Sequence, residues 1–294
     1  MPAGHLWTTD SSLSPRTDNP ASNTRRAASC DAFLGGRVYL WQPRRGGYRA
    51  GLDPVLLAAA VPAKTAQSVL DLGCGAGAAM LCLAARVPGL RLTGIERHPA
   101  YAALARSNAA LNGTKAHVVE GDITRLPSEV RSEQFDHVTA NPPYFNRARS
   151  DSAPDAGREA AMGEDTPLNL WIGVMAQRLR PGGHATMIHR AERLPDLLSA
   201  AESTDLGSIE VLPLVPRRGQ GARLVILQAR KGGRADFRLH DGWVLHTGTE
   251  HTGDQENHTP ATASVLRDGA ALPLGAADRF KSDRKNPAGR VETS

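Results

Sequence analysis

From Ser68 onward, short continuous apolar runs alternate with longer stretches of helical periodicity. The runs predict strands at Ser68–Leu72, Arg91–Glu96, Ala116–Glu120, Phe135–Ala140, Gly183–His189, Ser208–Val215 and Ala222–Arg230. Helices are predicted between them at 76–86, 99–111, 167–180 and 193–203. Strands that are apolar throughout are buried on both faces, the condition of a parallel sheet with helices on either side. Only Pro216 to Gly221 separates the last two strands, too little for a crossover helix, so they pair antiparallel. Upstream, Arg37 to Gln42 reads as a strand that Pro43 to Gly47 turns into a second short arm through Tyr48 and Arg49. Asp53-Pro54 reads as an N-cap and first helical proline, opening a helix through Ala60 that Pro62 ends.

The flanks differ. Residues 1–33 are rich in Ser, Thr, Asn, Asp and Pro without apolar periodicity and read as a disordered extension. One folded domain is expected over 34–275, polar beyond Arg230 apart from a short helix near Ala263–Gly269, with a disordered tail at 276–294. At 294 residues, 40% hydrophobic and 22% charged, the composition is that of a globular protein and excludes collagen or coiled coil for the whole. Apolar runs such as Val55 to Val61, and the longest, Ala78 to Ala85, are far short of the roughly 18 residues of a membrane span, and the N-terminus carries no secretory pattern. Cys30, Cys74 and Cys82 match no metal-ligand spacing, so reduced thiols in a cytoplasmic protein without a metal are expected.

Chemistry concentrates at strand ends. The first strand runs into Asp71-Leu72-Gly73-Cys74-Gly75-Ala76-Gly77, where glycines let a ligand approach the backbone and the following helix directs free amides toward it. Glu96, 25 positions after Asp71, ends the next strand, where a carboxylate can accept both hydroxyls of a ribose. Each feature alone also serves a tight turn or a solvated strand end. Jointly they mark a nucleoside-type cofactor at the carboxyl edge of the sheet. Gly73, Gly75 and Gly77 alternate, whereas dehydrogenases leave two residues between their second and third glycines. The spacing resembles the first motif of S-adenosylmethionine-dependent methyltransferases. In that resemblance Asp122 would bond the adenine amine, Ile123 would flank its ring, and the seven strands would form the α/β class I methyltransferase fold, its last strand antiparallel.

After the fourth strand stands Asn141-Pro142-Pro143-Tyr144-Phe145. It resembles the fourth motif of methyltransferases that modify a planar amide or amine nitrogen. The lone pair of such a nitrogen is delocalised, so attack on a sulfonium methyl requires a move toward tetrahedral geometry. The Asn141 oxygen and the Pro142 carbonyl can accept the amine's two hydrogens, Pro142 and Pro143 stiffen the backbone, and Tyr144 can stack on an extruded base. No general base is needed before transfer, because the alkylated amine sheds its proton afterwards.

Over 34–275 the order of features is similar to the bacterial tRNA1(Val) adenine-37-N6 methyltransferase family. The similar stretches are Gln42-Pro43 to Arg49, Gly51 to Asp53, Asp71 to Gly77, Asn141 to Phe145, Arg180 to Gly183 and Pro216 to Gly219. The resemblance implies methylation of an adenine beside the anticodon of a valine tRNA. Asn141 to Tyr144 would hold the base, and Asp71, Gly73, Gly75, Gly77, Glu96, Asp122 and Ile123 the S-adenosylmethionine. It makes Tyr48, Arg49 and Asp53 secondary candidates over the cofactor, with a plain N-cap preferred for Asp53. The acceptor tetrad is shared with glutamine-N5 enzymes of release factors, guanine-N2 enzymes of ribosomal RNA and DNA adenine enzymes; a non-catalytic RNA-binding protein is a further alternative. Charge favours RNA. The net charge is +5, 30 of the 35 basic residues are Arg, and no acid lies between Val211 and Ala235, a run containing Arg217, Arg218, Arg223, Arg230, Lys231 and Arg234. Arg147, Arg149 and Arg158 follow the acceptor motif closely.

Overall fold

The computed structural model describes residues 28–44, 47–144, 166–248 and 257–274. The expected tail at 276–294, Phe145, Arg147, Arg149, Arg158 and most of the N-terminal extension lie outside these residues. Ala28–Phe33, expected within that extension, is instead a strand (β1) paired antiparallel with Val38–Pro43 (β2). The arm expected at Tyr48 and Arg49 is not a strand; Arg49 instead reaches back across the hairpin to Ser29, Asp31 and the Pro43 carbonyl.

The main sheet contains Ser68–Leu72 (β3), Arg91–Glu96 (β4), Ala116–Glu120 (β5), Phe135–Ala140 (β6), Leu179–Arg190 (β7), Leu206–Arg217 (β8) and Leu224–Lys231 (β9). Two short strands, Arg238–Leu239 (β10) and Trp243–His246 (β11), lie parallel against β8. Their brevity and exposed, polar neighbours left no signal of period two. The order is β5-β4-β3-β6-β7-β9-β8, with every neighbour parallel except those of β9. The central strands are buried on both faces, as their apolar runs require; β3 has no exposed residue.

Helices Asp53–Ala60 (α1), Ala78–Arg86 (α2), Pro99–Leu111 (α3), Leu168–Arg178 (α4) and Leu194–Glu202 (α5) complete the layers. One core joins α4 and α5 to the sheet through Trp171, Ile172, Met175 and Leu197, and another joins β2, α2 and α3 to the opposite face through Leu40, Met80, Leu81 and Ala105. The C-terminal segment closes a third core around α1: Val265, Leu272 and Leu274 are buried, and the Leu272 amide donates to the Ala59 carbonyl.

The edge of β2 away from β1 meets a helix instead of a strand. Asn108 Oδ1 accepts from the Trp41 amide at 2.8 Å and its Nδ2 donates to the Trp41 carbonyl at 3.1 Å. Asn112 does the same for Tyr39, at 2.8 and 2.7 Å. Four residues of helix rise about 6 Å, and two residues of strand about 7 Å, so the two asparagines match alternate positions of the strand. Asn108 is fully buried, and its Nδ2 also donates to the Ala76 carbonyl at 2.9 Å. Asn108→Ala strips partners from three backbone groups, each costing about 1–3 kcal/mol if left dry. The variant is expected to lose about 2–4 kcal/mol in urea unfolding, allowing for partial rehydration.

Candidate active site

Chain order reverses between β3 and β6, since β4 lies on one side of β3 and β6 on the other. Loops leaving such a pair diverge and open a crevice at the carboxyl edge. The cleft found there is lined by Asp71, Gly73, Gly75, Glu96, Asp122 and Ile123 on one side and by Asn141 to Tyr144 on the other. Both halves of the expected site therefore meet.

The glycine turn divides its labour. All three glycines have positive φ, a conformation side chains resist. A Cβ on Gly75 would meet no protein atom within 4 Å and would project into the cleft, whereas on Gly73 it would lie 2.9 Å from the Trp171 ring. Gly77 does not line the cleft. Its missing side chain makes room for Met80, 3.1 Å away, and for the α3 backbone at Ala105, 3.6 Å away, so its contribution is packing.

Glu96 accepts the Gly75 amide at 2.9 Å on one oxygen and the His98 amide at 2.8 Å on the other, which fixes its carboxylate against the turn. Asp122 Oδ1 accepts from the Thr124 amide at 2.8 Å. Asp71 is only 2% exposed; Oδ1 accepts from the Thr139 hydroxyl at 2.9 Å, and Oδ2 has no protein partner. Burial pushes its carboxyl up to about 7. Cys74 is buried beside these acids, and desolvation followed by the charges of Asp71 and Glu96 raises its thiol pKa well above the ordinary value.

At the acceptor motif, the Tyr144 hydroxyl lies 2.8 Å from Asp53 Oδ2 and 2.8 Å from Asn141 Oδ1. Asn141 Nδ2 faces the Tyr48 hydroxyl at 3.4 Å. Burial raises the pKa of Asp53, Tyr48 and Tyr144 alike. His189, at the end of β7, meets the Tyr144 ring edge-on with centroids 5.3 Å apart. Its Nδ1 accepts the Arg190 amide at 2.9 Å, and burial lowers its pKa to about 4, so it is neutral with the proton on Nε2.

Two secondary expectations change. Asp53 is not an N-cap: Leu52 occupies that position, no side chain caps α1, and the carboxylate turns to Tyr144 because the helix starts at the rim of the cleft. Arg49 fastens the β1–β2 hairpin and does not line the cleft, while Tyr48 does. Two other lining residues had no role assigned from the sequence. Gln42 is buried, donates to Asp31 at 2.7 Å and accepts the Ala50 amide at 2.6 Å, and Tyr101 donates to the Tyr48 carbonyl at 3.0 Å; together they lay residues 48–50 over the cleft. Trp171 could have been suspected from the scarcity of aromatics.

The basic run divides. Because β9 runs against β8, Arg218 and Arg223 sit at the hairpin tip on the cleft edge, exposed, and the Arg223 carbonyl accepts the Ala191 amide just beyond β7. Arg230 and Lys231 lie at the opposite edge, where they donate to the Gly182 and Ala176 carbonyls. Arg217 is buried and donates to the Thr247 carbonyl. Among the described residues no acid pairs with Arg218 or Arg223.

The family model described as methyltransferase small domain matches residues 51–159. The tRNA1(Val) (adenine(37)-N6)-methyltransferase of Porphyromonas gingivalis strain W83 is 38% identical over 179 residues, which cover 56% of this chain and 69% of that protein. A protein of the same name from Yersinia pseudotuberculosis is 38% identical over 131 residues, 42% of this chain and 52% of the relative. In the crystal structure of a predicted O-methyltransferase from Agrobacterium tumefaciens the likeness has a TM-score of 0.59 at 27% identity, over 75% of this chain and 98% of that one.

The raised Asp71 pKa has a measurable consequence. Between its unfolded value near 3.8 and its folded value of about 7, the folded state binds the extra proton, so ionisation of Asp71 costs stability as pH rises through this window. The buried histidines His137 and His189, both lowered to about 4, act in the opposite sense below their unfolded value of 6.5. The difference in melting temperature between Asp71→Asn and the parent protein isolates the acid: it is expected to grow in the variant's favour from pH 4 to 7 and then level off.

Proposed function

Since this chain belongs to the tRNA1(Val) (adenine(37)-N6)-methyltransferase family, we propose that its cleft transfers a methyl group from S-adenosylmethionine to N6 of adenine 37 in a valine tRNA. One juxtaposition supports this above all: the Glu96–Gly75 turn and the Asn141 to Tyr144 motif line a single cleft. The residues fit the cofactor. Gly75 leaves the space a side chain would fill, Glu96 is held with its carboxylate in the cleft, and Asp71 Oδ2 is a buried acceptor lacking a partner.

S-adenosylmethionine, when bound, supplies an electrophilic methyl on a positively charged sulfur. Glu96 would accept hydrogen bonds from its ribose hydroxyls, and Asp122 with Ile123 would hold its adenine. Asn141 Oδ1 and the Pro142 carbonyl would accept the N6 hydrogens of the target adenine, drawing the nitrogen lone pair out of conjugation. Tyr144 would stack on the flipped base, and its packing against His189 sets the plane of that ring. Preorganised acceptors of this kind act without a general base.

Arg218 and Arg223, on the same edge as Asn141, would take tRNA phosphates, which favours RNA over a release-factor loop as acceptor. None of the described helices is long and apolar enough to cross a membrane; with tRNA as substrate the enzyme would work in the cytoplasm.

Asn141→Ala is expected to lower methyl transfer to valine tRNA by about 100-fold or more, while calorimetry gives an S-adenosylmethionine affinity close to that of the parent. Equal losses in both would refute the assignment of Asn141 to the amine, and absence of N6-methyladenosine from tRNA treated with the parent enzyme would refute the activity. Reversing the charge of Arg218 and Arg223 together should weaken tRNA binding and reduce the salt slope by about 2, whereas Arg234→Glu, on the far side, should leave both unchanged.

A further inference from the structure

Tyr144 has one hydroxyl hydrogen and two acceptors equally distant, Asp53 Oδ2 and Asn141 Oδ1, each at 2.8 Å. We infer that Asp53 is a positioning residue for methyl transfer: its carboxylate draws the Tyr144 hydrogen to itself and keeps Asn141 Oδ1 open to the N–H of the target amine. This rests on the role proposed above for Asn141.

The competition is decided by charge. A carboxylate accepts a hydroxyl hydrogen more strongly than a neutral amide oxygen does, and burial sharpens the difference. Near Asp53 stand Tyr48 from the segment before α1 and Tyr144 after β6, and beyond Tyr144 lie His189 and Arg190 of β7. His189 is neutral, so Asp53 is the charged acceptor in contact with the hydroxyl. The Tyr144 bond favours the ionised carboxyl against its desolvation, and burial together with the Asp53 charge keeps Tyr144 protonated and therefore a donor. Asn141 turns its amide nitrogen to the Tyr48 hydroxyl at 3.4 Å and its Oδ1 to Tyr144. Without the carboxylate, the hydroxyl hydrogen goes to Asn141 Oδ1 and competes with the amine for that oxygen.

A double-mutant cycle tests this. Asp53→Ala should lower kcat by roughly 10- to 30-fold with the KM for tRNA and the affinity for S-adenosylmethionine unchanged. Tyr144→Phe removes the competing hydroxyl, so in the double variant the Asp53→Ala loss should vanish, leaving the rate of Tyr144→Phe alone. Asp53→Asn, which keeps the shape and removes the charge, should show a smaller loss with the same cancellation and serves if the alanine variant does not fold. Losses that multiply in the double variant, or a loss carried by KM or cofactor affinity, would overturn the inference. Run on whichever amine the parent enzyme methylates, the cycle judges Asp53 separately from the identity of the acceptor.

Discussion

A single buried amide, that of Asn108, connects the parts of this molecule that must stay in register. Through three hydrogen bonds it joins β2, α3 and the glycine turn. From β2 the connection continues through Gln42 to the Ala50 amide and over the cleft to Tyr48, whose hydroxyl faces Asn141. Buried backbone groups must find partners, and here one edge of β2 meets a helix whose asparagines are spaced to act as a strand. The roof of the cleft and its floor are therefore fixed by one residue that touches neither half of the proposed reaction.

The site itself is a product of topology. Four parallel strands deliver Gly73, Glu96, Asp122 and Asn141 to one edge, because each strand ends where its covering helices permit a loop. The same topology scatters what is contiguous in the chain. A run of arginines without an intervening acid is carried to both ends of the sheet by the reversal at β9, and at the far end Arg230 and Lys231 satisfy carbonyls instead of facing solvent as a group.

The central strands and five main helices were legible because burial on two faces writes itself as unbroken apolar runs, and the two motifs because their spacing answers to specific chemistry. What escaped was set by partners remote in the chain. Ala28–Phe33 alternates small and polar residues, and its pairing depends on Gln42 and Arg49 reaching Asp31. Asp53 joins Tyr144 across 91 positions, a contact no local pattern encodes, and so an N-cap was the better reading of Asp-Pro on local grounds. Gly77 fits the motif as well as Gly75 does; only packing tells which of the two faces the open cleft and which faces a helix.

Cys74 sits in the glycine turn of a cleft that would hold a methylating agent. A thiolate there would itself be an acceptor, competing with the intended amine and inactivating the turn. Burial and the negative charges of Asp71 and Glu96 keep the sulfur protonated, and a thiol is a weak nucleophile. The burial that closes the turn, reinforced by the acids beside it, thus also spares the protein from alkylating itself.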